Sequence, residues 1–171
     1  MKVLKTDIEG LLVLEPKVFG DARGYFFEAF SERDFREATG LSVHFVQDNE
    51  SCSQRGVLRG MHFQKEPFAQ DKLIRVVRGS VQDVAVDIRP GSPTYGQHFS
   101  IVLSGENHLM VYVPAGFAHG FLTLEDDTVF QYKCSKYYEP SSEGRLRWDD
   151  PDLALPWTDL GIPYILSEKD R

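Results

Sequence analysis

Apolar and polar residues alternate along much of the chain, a pattern typical of β-strands that bury one face. In the segment 81–89, Val84, Val86 and Ile88 fall on one face, whereas Asp83, Ala85 and Asp87 fall on the other. Five more runs of strand length are predicted at Leu73–Val77, Phe99–Leu103, Leu109–Val113, Phe121–Leu124 and Thr128–Lys133.

Turn-forming residues separate these runs, with glycine, proline, serine and asparagine concentrated at 78–80, 89–92, 104–107 and 114–116. Many short strands at this spacing indicate a sandwich or a barrel. No repeat or linker divides the chain, so we expect one mainly β domain over residues 1–171, a jelly roll with a few short peripheral helices.

One helix is predicted over Glu32–Thr39, because Ser31 can cap its first turn and Gly40 can end it. Weaker signals predict short helical turns near Pro151–Leu153 and at the C-terminus.

Composition argues against nucleic-acid binding, a membrane span and secretion. A net charge of −7 argues against nucleic-acid binding, which normally needs a broad basic face. No stretch approaches the roughly 20 apolar residues of a membrane span, and the first ten residues do not resemble a secretory signal. Two cysteines, Cys52 and Cys134, are too few for a disulfide framework, so we expect reduced thiols and a cytoplasmic location.

A metal centre is not expected. Jelly-roll proteins often bind metal through a His-x-His pair, but His62 is followed by Phe63 and Gln64. His119 could add one ligand, and two histidines without a third donor make a poor site for zinc or iron. A metal-dependent dioxygenase is therefore a distant alternative.

His62 is either a general base or a hydrogen-bonded structural imidazole. An unperturbed histidine titrates near pH 6.5, so its neutral form is available at about pH 7. A carboxylate that orients the ring would favour catalysis, and Asp83 and Asp170 are both candidates that spacing does not separate.

Two further residues have a structural and a catalytic interpretation. Tyr132 is a core tyrosine or a proton donor that faces His62 across a substrate. Lys72 is a solvated charge or a cation that stabilises an enolate oxygen. Arg23, Arg59 and Lys169 could pair with phosphate oxygens.

The order of motifs strongly resembles that of the dTDP-4-dehydrorhamnose 3,5-epimerase family of nucleotide-sugar enzymes. The resemblance runs almost end to end, through EPKVFGDARGYFFE, FVQDNES, GVLRGMHFQ, AQDKLIRVVRG, DVAVDIRPGSPTYG, VPAGFAHGF, QYKCSKYYEPSSEG, WDDPDLALPW and LSEKD. It implies a cupin jelly roll, a homodimer that shares strands across its interface, a dTDP-sugar substrate, and catalysis without metal or organic cofactor.

The resemblance also implies roles for individual residues. His62 matches the family's base, Tyr132 its acid, Lys72 the lysine beside the keto oxygen, and Asp170 the aspartate paired with the histidine. Tyr138 matches the aromatic residue that stacks on thymine. The remaining positions that match nucleotide-sugar contacts are Arg23, Glu28, Gln47, Asn49, Arg59, His119, Glu143 and Lys169.

Departures from the family pattern are few. Asp71 replaces a glycine and brings a carboxylate next to Lys72, and Val111-Tyr112 stands where many relatives have a tryptophan. The expected activity is inversion of carbons 3 and 5 of dTDP-4-dehydro-6-deoxyglucose, in dTDP-rhamnose biosynthesis. The alternatives are a 3-epimerase of another deoxysugar pathway and a non-catalytic sugar-binding cupin.

Overall fold

Two antiparallel sheets face each other in the structure, a computed structural model that describes residues 1–171. The strands are β1 (Lys2–Lys5), β2 (Leu12–Glu15), β3 (Val18–Asp21), β4 (Gly24–Phe27), β5 (Gln47–Ser53), β6 (Leu58–Gln64), β7 (Lys72–Arg78), β8 (Ser80–Asp87), β9 (His98–Ser104), β10 (Met110–Val113), β11 (Phe117–Thr123), β12 (Thr128–Cys134) and β13 (Glu143–Arg145). The single α-helix, α1, spans Glu32–Thr39, and short 3₁₀ helices span Pro140–Ser142 and Glu168–Asp170.

The first sheet has the order β1-β2-β10-β7-β12-β5, and the second has the order β13-β6-β11-β8-β9. Strands β3 and β4 pair only with each other and form a separate hairpin. Apart from the pairs β1-β2 and β8-β9, neighbouring strands in the two sheets are not consecutive in sequence, as expected for a jelly roll. The predicted mainly β fold is confirmed.

All five strand-length runs predicted by alternation overlap strands, although Leu109 and Leu124 lie just outside them. The largest difference is at β11, which begins at Phe117 rather than at Phe121 because four more residues pair with β8. The helix is confirmed at both ends, since the Ser31 hydroxyl accepts from the Asp34 N–H and Gly40 adopts a φ of 73°. The segment near Pro151–Leu153 is a turn rather than a helix, whereas the C-terminal prediction corresponds to the 3₁₀ helix.

The two faces of β8 contain the residues that alternation assigns to them. The valine face, however, points away from the space between the sheets, and the aspartate face points into it. Val84 and Val86 face outward and are covered by the C-terminal segment, including Leu155 and Trp157. Asp83 faces the space between the sheets, where its carboxylate contacts His119. Val81 and Ala85 share this inward face and belong to the apolar core, so Asp83 is a buried carboxylate whose charge is met by His119.

The apolar core fills the remaining space between the sheets. Ile74 and Phe130 from the first sheet meet Phe121 and Leu103 from the second, and Phe121 and Phe130 stack with ring centres 4.0 Å apart. Helix α1 covers the outer face of the first sheet through the fully buried Phe35. None of the helices is long and apolar enough to span a bilayer.

Candidate active site

Two glycines set the spacing at the centre of the second sheet. A Cβ at Gly60 would lie 2.5 Å from the Cα of Gly120, and one at Gly120 would lie 2.7 Å from Met61 Sδ. Only glycine allows β6 and β11 to approach this closely. The register next to this contact pairs His62 with His119, so the two imidazoles project from adjacent strands.

A cavity of about 580 Å³ opens between the two sheets in front of these histidines. His62 and His119 line it from the second sheet, whereas Lys72 and Tyr132 line it from the first. The structure therefore places a histidine and a tyrosine on opposite walls of one cavity. Eight predicted site residues line it in all: Asn49, Arg59, His62, Lys72, His119, Tyr132, Lys169 and Asp170.

The C-terminal segment brings Asp170 to His62. Ile165 pairs with the start of β6, because its N–H donates to the Gly56 carbonyl and its carbonyl accepts from the Leu58 N–H. Five residues later, Asp170 Oδ1 lies 2.5 Å from His62 Nε2. The Ser167 hydroxyl donates to the other carboxylate oxygen at 2.7 Å, so both oxygens of Asp170 are engaged.

This contact decides which nitrogen of His62 is free to act as a base. An ionised carboxylate only accepts hydrogen bonds, so Nε2 carries the proton and donates it to Asp170. Nδ1 is then the nitrogen with an available lone pair. Burial lowers the pKa of His62 below its ordinary value and Asp170 opposes that shift, so the imidazole is neutral at pH 7.

Asp83 forms the corresponding pair with His119. Its Oδ2 lies 2.8 Å from His119 Nε2, and both side chains are almost fully buried. Of the two aspartates that spacing left open as partners of His62, the structure joins Asp170 to His62 and Asp83 to His119.

The first sheet contributes a phenol and an ammonium. Burial raises the pKa of the Tyr132 phenol, which therefore keeps its proton at neutral pH and can donate it. Burial lowers the pKa of the Lys72 ammonium, and nearby groups including Asp83 and Glu143 oppose the shift. The Lys72 Nζ lies 5.7 Å from the centre of the Tyr132 ring.

The rim of the cavity consists of a hydrogen-bonded series of predicted residues. Gln47 donates to Asn49 Oδ1 at 2.9 Å and accepts from the Tyr138 N–H at 3.1 Å. The Tyr138 hydroxyl donates to Glu143 at 2.7 Å, and Lys169 lies 3.4 Å from the same carboxylate. The Tyr138 hydroxyl and neighbouring cations hold the pKa of Glu143 down to about 2, so this rim carries a fixed negative charge.

Two predicted residues lie apart from the cavity within one chain. Arg23 is on the β3–β4 hairpin, where its guanidinium pairs with Asp21 and its side chain is 91% exposed. Glu28 follows the same hairpin and lies near Asp34 of α1, which raises the pKa of Glu28. Neither side chain lines the cavity.

Sequence reasoning missed several residues that support the site. Ser167 orients Asp170, and Ser53 accepts two hydrogen bonds at 3.3 Å from the Arg59 guanidinium. Arg145 donates to the Lys169 carbonyl at 2.7 Å and so helps to hold the C-terminal segment. Phe121 and Phe130 form the apolar floor. No local motif marks these residues, because each acts through a contact between distant segments.

The residues present do not form a recognisable metal site. Nowhere in the chain do three His, Cys, Asp or Glu side chains come together in an arrangement that could hold an ion. Both cysteines are free, Cys52 exposed and Cys134 buried beside β7.

Comparison with known proteins places the chain in a family. A model of the dTDP-4-dehydrorhamnose 3,5-epimerase family matches residues 5–171. The dTDP-4-dehydrorhamnose 3,5-epimerase of Methanothermobacter thermautotrophicus is 50% identical over 99% of this chain and 91% of its own length.

Solved structures of related epimerases have the same fold as this chain. The dTDP-6-deoxy-D-glucose-3,5-epimerase of Legionella pneumophila, in complex with dTDP-4-keto-L-rhamnose, superposes with a TM-score of 0.94 at 48% identity, over 99% of this chain and 89% of that one. A 3'-monoepimerase from Streptomyces bikiniensis, in complex with dTDP-quinovose, gives 0.91 at 39% identity, over 99% and 84%. The chain belongs to the dTDP-4-dehydrorhamnose 3,5-epimerase family.

Proposed function

We propose that this chain catalyses the reaction that names its family, inverting carbons 3 and 5 of dTDP-4-dehydro-6-deoxyglucose to give dTDP-4-dehydro-L-rhamnose, for dTDP-rhamnose biosynthesis. The observation that carries the proposal is the placement of His62 and Tyr132 on opposite walls of one cavity. Inversion of a carbon centre needs a base on one face and an acid on the other. A neutral imidazole and a protonated phenol meet that need.

The chemistry begins at the ketone on carbon 4, which acidifies the hydrogens on carbons 3 and 5. His62 Nδ1 takes the proton from carbon 3, and the electron pair of the C–H bond moves into an enolate. Lys72 stabilises the negative charge on the enolate oxygen. Tyr132 then gives its proton to the opposite face of carbon 3, which inverts the centre.

One inversion leaves His62 protonated and Tyr132 ionised. Proton exchange with solvent restores both groups, and the same sequence follows at carbon 5. Asp170 stabilises the imidazolium that forms on His62, as expected for a carboxylate bonded to the other ring nitrogen. All four groups belong to the chain itself, so the proposed mechanism uses no cofactor.

We further propose that the rim holds the nucleotide. Tyr138 would stack on the thymine, and Arg59, His119 and Lys169 would bind the diphosphate and sugar, since cations and N–H donors suit phosphate oxygens. Asn49, Gln47 and Glu143 would fix these groups through the hydrogen bonds of the rim.

Arg23 and Glu28 would act from a second subunit. We propose a cytoplasmic homodimer in which the β3–β4 hairpin of one subunit reaches the cavity of the other. The exposed Phe19, Tyr25 and Phe26 on this hairpin support the proposal, because such an apolar surface favours a protein partner.

A complementation assay tests the shared site. Arg23→Ala and His62→Ala subunits, mixed and allowed to exchange, would form heterodimers with one intact site, so activity at low substrate should rise above that of either variant. If Arg23 acts within its own chain, no heterodimer has an intact site and mixing changes nothing.

Deuterium exchange tests the activity itself. In deuterated water, NMR should show label entering the substrate at carbons 3 and 5 together with formation of the inverted product. The second candidate, inversion at carbon 3 alone, is favoured by the similarity to the 3'-monoepimerase and predicts label at carbon 3 only. A non-catalytic sugar-binding protein would show no exchange.

A further inference from the structure

Asp71 immediately precedes Lys72, and its carboxylate is fully engaged by hydrogen-bond donors from two other parts of the chain. Oδ1 accepts from the Tyr112 hydroxyl at 2.8 Å and from the Ala115 N–H at 3.1 Å. Oδ2 accepts from the Ser135 hydroxyl at 2.9 Å. Tyr112 is on β10 and Ala115 follows it, whereas Ser135 directly follows β12.

The Asp71 backbone strengthens the same connection. Its N–H donates to the Ser135 hydroxyl at 2.8 Å, and its carbonyl accepts from the Ser135 N–H at 3.0 Å. Asp71 therefore fastens the start of β7 to the ends of β10 and β12, the two strands that flank it in the first sheet.

Lys72 lies at this junction. Its backbone pairs with Val113 of β10 on one side and with Cys134 of β12 on the other. The Lys72 side chain lines the cavity, whereas the Asp71 side chain contacts Tyr112, which packs with Leu73 in the cluster on the outer face of the sheet. The Asp71 carboxylate thus points away from the cavity, and its charge is met by its three donors.

The Lys72 ammonium has only a loose contact at its own end, 5.7 Å from the centre of the Tyr132 ring. Its position in the cavity is therefore determined mainly by the backbone from which it projects. A shift of the β7 start would move the ammonium relative to a bound ketone, and displacement by about 1 Å can cost on the order of 100-fold in rate.

We propose that Asp71 is a positioning residue, which holds the start of β7 against β10 and β12 and so fixes Lys72 relative to the keto oxygen. The proposal rests on the role proposed above for Lys72. It assigns to this carboxylate a part in the rate of the reaction without any contact with the substrate.

A double-mutant cycle tests this role. We expect Asp71→Ala to lower kcat by about 10- to 100-fold while KM changes by less than about 3-fold, because positioning of Lys72 matters after the substrate has bound. In a Lys72→Ala background the same change should alter kcat by less than about 2-fold, since the residue through which it acts is gone. The deuterium-exchange assay, followed for hours, measures the slow variants.

Asp87→Asn is the matched control. Asp87 is also a buried carboxylate held by hydroxyl and N–H donors, from Ser92, Thr94 and Arg89, but it does not line the cavity. We expect this variant to lose thermal stability and to keep its kcat. If Asp71→Ala does not fold, Tyr112→Phe removes one donor and keeps the ring. It should lower kcat by about 3-fold, again only when Lys72 is present.

The outcomes separate this proposal from the proposed function. Wild-type kcat in Asp71→Ala, or equal losses with and without Lys72, would overturn the positioning role. Full activity in the Lys72→Ala variant alone would instead remove the lysine from the mechanism.

Discussion

Two histidine–aspartate pairs lie side by side at the cavity, and they are built in different ways. His119 and Asp83 belong to neighbouring strands of one sheet and are almost fully buried. His62 is also on a strand, but its partner Asp170 comes from the C-terminal 3₁₀ helix, 108 residues away. The His62 side chain is 25% exposed and faces the cavity.

This difference indicates separate tasks for two chemically identical pairs. A pair within one sheet is rigid and protected from solvent, which suits a group that binds substrate and supports the fold. A pair whose imidazole remains partly accessible can exchange protons with substrate and solvent. We therefore expect the first pair to matter more for stability and the second to matter more for turnover.

The largest effect is expected from His62→Ala. A positioned base contributes about 100- to 10,000-fold, so kcat should fall by that factor, while dTDP binding measured by calorimetry should stay within about 3-fold of wild type. Unchanged turnover would remove His62 from the mechanism and would make the two pairs equivalent.

Asp170→Asn should have the next largest effect. An amide still reaches His62 but no longer stabilises the imidazolium, so we expect a loss between about 10-fold, as for other partners that orient a histidine, and the effect of removing the base itself. Steady-state kinetics should show the loss in kcat, with little change in the melting temperature. A variant with normal kcat would show that the C-terminal segment only closes the cavity.

Asp83→Ala should affect stability more than turnover, the opposite of what is expected for Asp170→Asn. It leaves the deeply buried His119 without its partner, which we expect to cost about 1–3 kcal/mol in the free energy of unfolding. Asp170→Ala should cost less, because water can reach His62. Denaturant titration of both variants measures the contrast, and equal losses would contradict it.

The smallest effect is a shift in pH dependence. His62 must be neutral to act as a base, and burial holds its pKa below 6.5. The acid limb of the kcat/KM profile should therefore have its midpoint below pH 6.5. Asp170 favours the charged imidazole, so Asp170→Asn should move that limb to lower pH. Movement to higher pH would mean that the limb reports another group.

The sequence predicts the strands and the helix well, because each depends on local periodicity and capping. The sequence does not predict side-chain partners well where a contact joins distant segments. Spacing does not distinguish Asp83 from Asp170 as the partner of His62, since the choice depends on how the C-terminal segment crosses β6. The same limit applies to Asp83, which can face the interior of the sandwich because His119 of the neighbouring strand meets its charge.

Asp71 illustrates a second limit. Adjacency in sequence suggested that its charge would act on Lys72, but the structure directs the carboxylate to Tyr112 and Ser135 instead. Asp71 and Tyr112, which both belong to departures from the family pattern, prove to be in contact. The direction of a side chain just outside a strand depends on which distant residues lie near it, and the sequence pattern does not show which residues those are.

The most direct test of opposed proton transfer is the Tyr132→Phe variant in deuterated water. His62 would still remove the proton and return a deuteron from the same side, so NMR should show label entering carbon 3 without formation of the inverted product. Inverted product at the wild-type rate would show that the proton does not come from Tyr132. That result would contradict a mechanism in which His62 and Tyr132 act from opposite walls of the cavity.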